Sequence, residues 1–252
     1  MYHITSLHHA KKTNLATVTK KICSNLHKSC KFFYPKESAK TKEDETLPQT
    51  LNIGTFNVCY NVDISRLAKY LVKAEPLDFV CIQDIQYFQI PRFLGLLQKN
   101  QCPWTYCARS PRSRSIIFST FPVEEVAKYN FSGNKEFVTV KALGVFLTCL
   151  HLNAKKETKR LLEIEQVKQK LEEAEVWGEA QIWAGDFNSV TREDYTNYAE
   201  WSEIEEDRQK LHSKKTLHDN EPRVDVVARM LELGFTDCWV ETGRKGPLAT
   251  CR

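Results

Sequence analysis

Gln181-Ile182-Trp183-Ala184-Gly185-Asp186-Phe187-Asn188 is an apolar run that ends on a glycine, a carboxylate and an amide. The run suits a short buried strand, and the polar groups then fall where that strand stops. The pattern recurs upstream. Asn57 follows Ile53-Gly54-Thr55-Phe56, Gln83-Asp84 follow Phe79-Val80-Cys81-Ile82, and His151 follows Val145-Phe146-Leu147-Thr148-Cys149-Leu150. In an α/β sheet the strand ends form the crevice where ligands bind, so polar groups placed there converge although they are far apart in sequence. Each residue alone has a plainer role: Asn57 in a turn, Asp84 capping a helix, Asp186 with Asn188 in an Asx-turn, His151 as a structural histidine. Four such placements in one chain make four separate plain roles the weaker explanation.

Working outward, short Val-, Ile- and Phe-rich runs predict strands over residues 51–58, 78–85, 115–118, 136–141, 144–150 and 181–184. Helical spacing of apolar residues predicts helices over 64–74 (stopped by Pro76), 91–99, 155–177 (stopped by Gly178) and 224–233 (stopped by Gly234). Alternation of the two element types favours an α/β fold with helices on the sheet faces. The hairpin around Leu143-Gly144 adds antiparallel pairing, so the sheets are expected to be mixed.

The 252 residues carry 36 Lys+Arg and 32 Asp+Glu. Residues 1–36 hold seven of the lysines and no carboxylate, which leaves 29 basic and 32 acidic groups in the rest, a net of −3. The positive charge belongs to the N-terminal stretch, which argues against a body that coats nucleic acid by bulk charge. Residues 1–50 are therefore expected to be a disordered basic extension and linker, and 51–252 the folded domain. No run reaches the roughly 18 apolar residues of a membrane span. Nine scattered cysteines without repeated C-x-x-C spacing point to a reducing compartment. The expected location is cytoplasm or nucleus. The acid-free N-terminus, which lacks arginine, leaves the mitochondrion as the alternative.

Taken in order, Thr55-Phe56-Asn57-Val58, Phe79-Val80-Cys81-Ile82-Gln83-Asp84, Leu150-His151-Leu152 and Gly185-Asp186-Phe187-Asn188 resemble four motifs of the endonuclease/exonuclease/phosphatase (deoxyribonuclease-I-like) superfamily. Phe118-Ser119-Thr120-Phe121-Pro122-Val123 and Gly234-Phe235-Thr236-Asp237-Cys238-Trp239 are similar to two further segments of it. The resemblance covers residues 51–252. It implies a four-layer α/β sandwich of two mixed β-sheets flanked by helices, and Mg²⁺-dependent (or Mn²⁺-dependent) hydrolysis of a phosphodiester, with nucleic acid the favoured substrate. It further implies that Asn57 and Asp84 hold the metal, that His151 contacts the scissile phosphate, that Asp186 activates the attacking water and that Asn188 bonds a phosphate oxygen. These assignments make chemical sense: Mg²⁺ takes oxygen ligands and needs one or two carboxylates, and neutral amides stabilise phosphoryl charge without adding another anion.

Two departures accompany the resemblance. The family's Gln-Glu is Gln83-Asp84 here, one methylene shorter. The family's final strand and Ser-Asp-His motif have no counterpart, and neither His212 nor His218 maps onto that histidine, so on the resemblance the domain is C-terminally incomplete. The alternative to an active phosphoesterase is thus a non-catalytic truncated form or pseudoenzyme that keeps a binding role. Elsewhere, Arg109, Arg112 and Arg114 suit either phosphate contact or a solvated loop. Lys155, Lys156, Lys159, Arg160, Glu157 and Glu163 read as a solvated helix face. Asp194, Tyr195 and Trp201 suit either the cleft lining or helix packing.

Overall fold

A computed structural model describes residues 6–8, 29–33, 50–59, 63–73, 77–112, 114–131, 135–189, 217–218, 221–222 and 225–237. In chain order the strands are β1 Ser6–His8, β2 Ser29–Phe33, β3 Thr50–Asn57, β4 Phe79–Gln83, β5 Tyr106–Arg109, β6 Ser115–Ser119, β7 Glu124–Asn130, β8 Glu136–Ala142, β9 Val145–His151, β10 Gln181–Asp186, β11 Leu217–His218, β12 Glu221–Pro222 and β13 Phe235–Asp237. The helices are α1 Ile64–Lys73, α2 Ile90–Lys99, α3 Glu157–Glu173 and α4 Asp225–Glu232. One sheet has the order β13-β1-β10-β9-β8-β7, the other β2-β3-β4-β6-β5, and β11 pairs with β12. Both large sheets are mixed, with parallel β9–β10 and β3–β4 pairs beside antiparallel neighbours.

Three apolar interfaces separate four layers. Between the sheets, Ile53, Phe79, Cys81 and Ile117 meet Val138, Val140, Leu147, Cys149, Ile182 and Ala184. Outside the first sheet, Phe137, Leu150 and Trp183 pack on Ile164, Val167 and Leu171 of α3 and on Val226 and Met230 of α4. Outside the second, Val80, Ile82, Ile116 and Phe118 pack on Ala68 and Leu71 of α1 and on Phe93 and Leu97 of α2. Side chains alternate faces along a strand, so a strand covered on both sides is buried throughout and mostly apolar, as β4, β6 and β9 are.

The six strands expected from sequence are β3, β4, β6, β8, β9 and β10. Those it missed include β5 and β7, which lie at the outer edges of their sheets with side chains mostly exposed or half-buried and so lack the apolar run that marks a buried strand. Two more, β1 and β2, come from the first fifty residues, the stretch read from sequence as an extension. β1 pairs antiparallel with both β10 and β13, and β2 with β3.

The long helix needs correction. It ends at Glu173, not at Trp177, because Glu175 takes a left-handed φ of 58°. The Glu175 N–H donates to Glu172 O and the Val176 N–H to Leu171 O, both at 2.9 Å, a Schellman closure reached four residues early and without glycine. The charged face read as solvated is only partly so, since Arg160 and Glu163 are buried. The hairpin at Leu143-Gly144 is as expected: both residues have positive φ, 52° and 75°, the two-residue turn whose twist matches the strands.

Candidate active site

Strand periodicity explains how the site is assembled. In β3, β4, β9 and β10 the residues facing the other sheet are Ile53, Cys81, Cys149 and Ala184. Counting on by twos brings the same face to Asn57, Gln83, His151 and Asp186. All four are the last residues of their strands, so the polar cluster closes the same end of the inter-sheet core. The Asn57 Nδ2 donates to Asp186 Oδ2 across the two sheets at 2.6 Å, and Asn57 Nδ2 lies 3.5 Å from His151 Nε2. Just below, Gln83 Nε2 donates to Thr55 Oγ1 at 3.1 Å and to Cys149 Sγ at 3.3 Å, a buried polar layer between apolar core and site.

Asp84 would face the helices if β4 continued. Instead its backbone is left-handed, φ 61°, and its N–H donates to Arg114 O at 2.9 Å. That turn brings Asp84 Oδ1 to 3.2 Å from His151 Nδ1, while His151 Nε2 lies 3.4 Å from Asp186 Oδ2. The imidazole, 2% exposed, is thus held between two carboxylates.

The Gly-Asp-Phe-Asn sequence is explained locally. A Cβ on Gly185 would lie 2.0 Å from Leu150 O, so only glycine lets β10 lie this close to β9. Asp186, fully buried, accepts from the Asn188 N–H at 2.9 Å through Oδ1, the Asx-turn expected from sequence. Asn188 has φ 49°, and its Nδ2 donates to Leu152 O at 2.9 Å, which ties the turn to the chain leaving β9.

Two residues around the site went unread in the sequence, and a third was read only as part of a solvated helix face. The Lys135 ammonium contacts His151 Nε2. Glu136, fully buried, accepts from the Ser110 hydroxyl and from the Arg112 N–H (3.2 Å), clamping the loop whose Arg114 carbonyl holds Asp84. A signal for both existed: with the hairpin turn at Leu143-Gly144, Ala142 pairs with Val145 and Glu136 falls opposite His151. The third, Glu163, accepts from the Asn153 N–H at 2.6 Å while Arg160 Nη1 donates to Asn153 O at 3.0 Å. Burial pushes the Glu163 carboxyl up to about 7, against the pull of the Asn153 N–H and of Lys135, Arg160 and Lys159. Only local spacing was visible in sequence, and it gave no reason to bury this pair.

Arg109 and Arg112 are exposed and Arg114 is half-buried. Of the weaker candidates, Asp194, Tyr195, Trp201 and His212 lie outside the described residues, as does the side chain of His218. Cys81 and Cys149 are buried, as their apolar runs implied, and with Cys102 and Cys107 they are free thiols. No helix among the described residues is long and apolar enough to cross a membrane.

The donor chemistry at the strand ends fits a hard divalent cation. Asn57 and Asp84 offer an amide oxygen and a carboxylate from adjacent parallel strands, Asn57 pairing with Gln83, the residue before Asp84. Among the described residues no three His, Cys, Asp or Glu side chains form a ligand cluster, but Mg²⁺ needs only one or two carboxylates and keeps several waters.

No protein family and no curated protein matches the chain by sequence. Solved structures do resemble it. A humanized D. rerio TDP2 is 21% identical over 56% of this chain and 63% of its own, with a TM-score of 0.40. TDP2 from Caenorhabditis elegans is 18% identical over 56% of this chain, which spans about half of its length (48%), with a TM-score of 0.43. An AP endonuclease from Archaeoglobus fulgidus is 18% identical over 74% of this chain and 72% of its own, with a TM-score of 0.47. The chain's own architecture, two mixed sheets packed face to face between helices, is the α/β sandwich that the endonuclease/exonuclease/phosphatase resemblance implied.

Proposed function

We propose that the chain is a divalent-metal-dependent phosphoesterase of the endonuclease/exonuclease/phosphatase kind, acting on a phosphodiester and, within that class, on nucleic acid. The observation that carries this reading is the convergence of Asn57, Asp84, His151, Asp186 and Asn188 from two sheets onto one strand-end cluster, sealed by the 2.6 Å Asn57–Asp186 bond. Asn57 and Asp84 would hold Mg²⁺ or Mn²⁺. When bound, such an ion neutralises charge on the phosphoryl oxygens and the leaving group.

The remaining work falls to the chain's own side chains. Asp186 is buried, with its oxygens fixed by Asn57 and the Asn188 N–H, so its carboxylate is preset to orient a water and accept its proton. His151, held between Asp84 and Asp186 in the strand-end cluster, is the side chain assigned to contact with the scissile phosphate. The Lys135 ammonium beside His151 adds a cation where negative charge would build. The exposed Arg109, at the end of β5, and the exposed Arg112, in the loop joined to Asp84, support a polyanionic substrate.

A second reading, a phosphate-binding module without turnover, is favoured by one observation: the short Asp84 side chain is engaged with His151. The deciding experiment is hydrolysis of an oligonucleotide in Mg²⁺. Expected are loss of turnover in chelator and a fall of orders of magnitude in Asp186→Ala. Hydrolysis that survives both overturns the mechanism, whereas binding without turnover selects the second reading.

A further inference from the structure

Two aromatic side chains stand outside every core cluster. Tyr87 and Phe88 are 71% and 63% exposed, adjacent in the short 3₁₀ turn Tyr87–Gln89 that leads into α2. Their base is firm. Ile85 and Ile90 on either side are buried, and the Gln89 N–H donates to Gln86 O at 2.9 Å. The rings meet edge to face with centroids 5.8 Å apart, which makes them one unit.

Their position is informative. Tyr87 is three residues past Asp84, and three residues of chain span at most about 11 Å, so the pair stands at the rim of the candidate active site. Arg92, exposed and one turn beyond Phe88, has its guanidinium 3.5 Å from Ser65 Oγ of α1. The loop after β5, which begins beyond the exposed Arg109 and carries the exposed Arg112, is joined to Asp84 through the Arg114 carbonyl. Exposed rings and guanidinium groups that share the surroundings of one candidate phosphodiester site are what a single strand meets, with bases stacking on rings and phosphates on guanidinium groups. The area decides against a protein partner. Two rings offer roughly 300–500 Å², short of the ~800 Å² per partner that a stable protein interface buries.

We propose that Tyr87 and Phe88 form a stacking platform for an unpaired nucleobase one or two nucleotides from the scissile phosphate, which makes single-stranded nucleic acid the substrate. The platform rests on the phosphodiester reading above. It requires the base to be unstacked, because a base inside a duplex presents only its edges.

The test compares two labelled oligomers of equal length, an oligothymidylate and its abasic counterpart, binding to the full chain followed by fluorescence anisotropy in chelator. Wild type is expected to prefer the base-bearing oligomer by about tenfold per stacked base. That ratio should fall to about one in Y87A/F88A and persist in Y87W/F88W, with melting temperatures unchanged because both side chains are exposed. Equal affinities in wild type, or a preference that survives Y87A/F88A, overturn the platform. So does self-association in sedimentation that the double substitution abolishes, which would assign the rings to a second copy of the chain. Hydrolysis of both oligomers with equal efficiency in Mg²⁺ removes the platform and leaves the phosphodiester reading standing. Base-selective binding without hydrolysis in any divalent metal supports the platform and removes the reaction.

Discussion

Glu163→Gln tests the buried charge behind the site. Glu163 is 3% exposed, its Oε2 accepts from the Asn153 N–H at 2.6 Å, and its Oε1 has no hydrogen-bond partner among the described residues. Burial raises the carboxyl from 4.5 to about 7. Between those pH values the folded chain holds a proton that the unfolded chain has released, so stability falls as pH rises through the window. The contribution is fully present below about 4.5 and lost as pH passes 7. At 1.36 kcal/mol per unit the shift amounts to about 3 kcal/mol. Glutamine keeps an oxygen for the Asn153 N–H and cannot ionise. The variant should therefore match wild type near pH 4.5 and exceed it by about 3 kcal/mol near pH 8. Urea denaturation of both chains at pH 5, 6, 7 and 8 reads this directly, and taking their difference cancels the other carboxylates. Parallel stability curves would refute the reasoning, and so would a variant that loses ground to wild type as pH rises. Because Asn153 follows His151 by two residues, the same ionisation acts on the chain that positions the imidazole.

Asp84→Glu should tighten the Mg²⁺ dependence of hydrolysis if Asp84 holds the metal; coincident metal titrations of the two chains would show that it does not. Lys135→Met should lower kcat/KM on the order of 10²-fold with most of the loss in kcat, and Lys135→Arg should recover part of it; a change confined to melting temperature would make the residue purely structural. Gly185→Ala sets a Cβ against Leu150 O at 2.0 Å and should cost more than about 3 kcal/mol of stability, seen as a lowered denaturation midpoint, while a neutral outcome would mean that β9 and β10 separate readily.

Much of this protein is legible in one dimension because its strands repeat every two residues. Apolar runs ending in Asn57, Asp84, His151 and Asp186 announce buried strands with polar ends, and Gly-Asp-Phe-Asn encodes its own turn through the Asp186–Asn188 bond. Interior strands and amphipathic helices are local patterns, and a sequence carries them. What depends on pairing between distant segments was decided only in three dimensions. The edge strands β5 and β7 bury too little to leave a pattern, and nothing local says that β1 lies between β10 and β13. Asp84 joins the site because the Arg114 carbonyl, thirty residues on, accepts its N–H and holds a left-handed turn. Arg160 and Glu163 look like surface charges until the backbone of Asn153 is seen between them. Periodicity settles which face a side chain takes, whereas its partner across that face is set by the register between strands and the packing of sheet on sheet, neither of which any single segment contains.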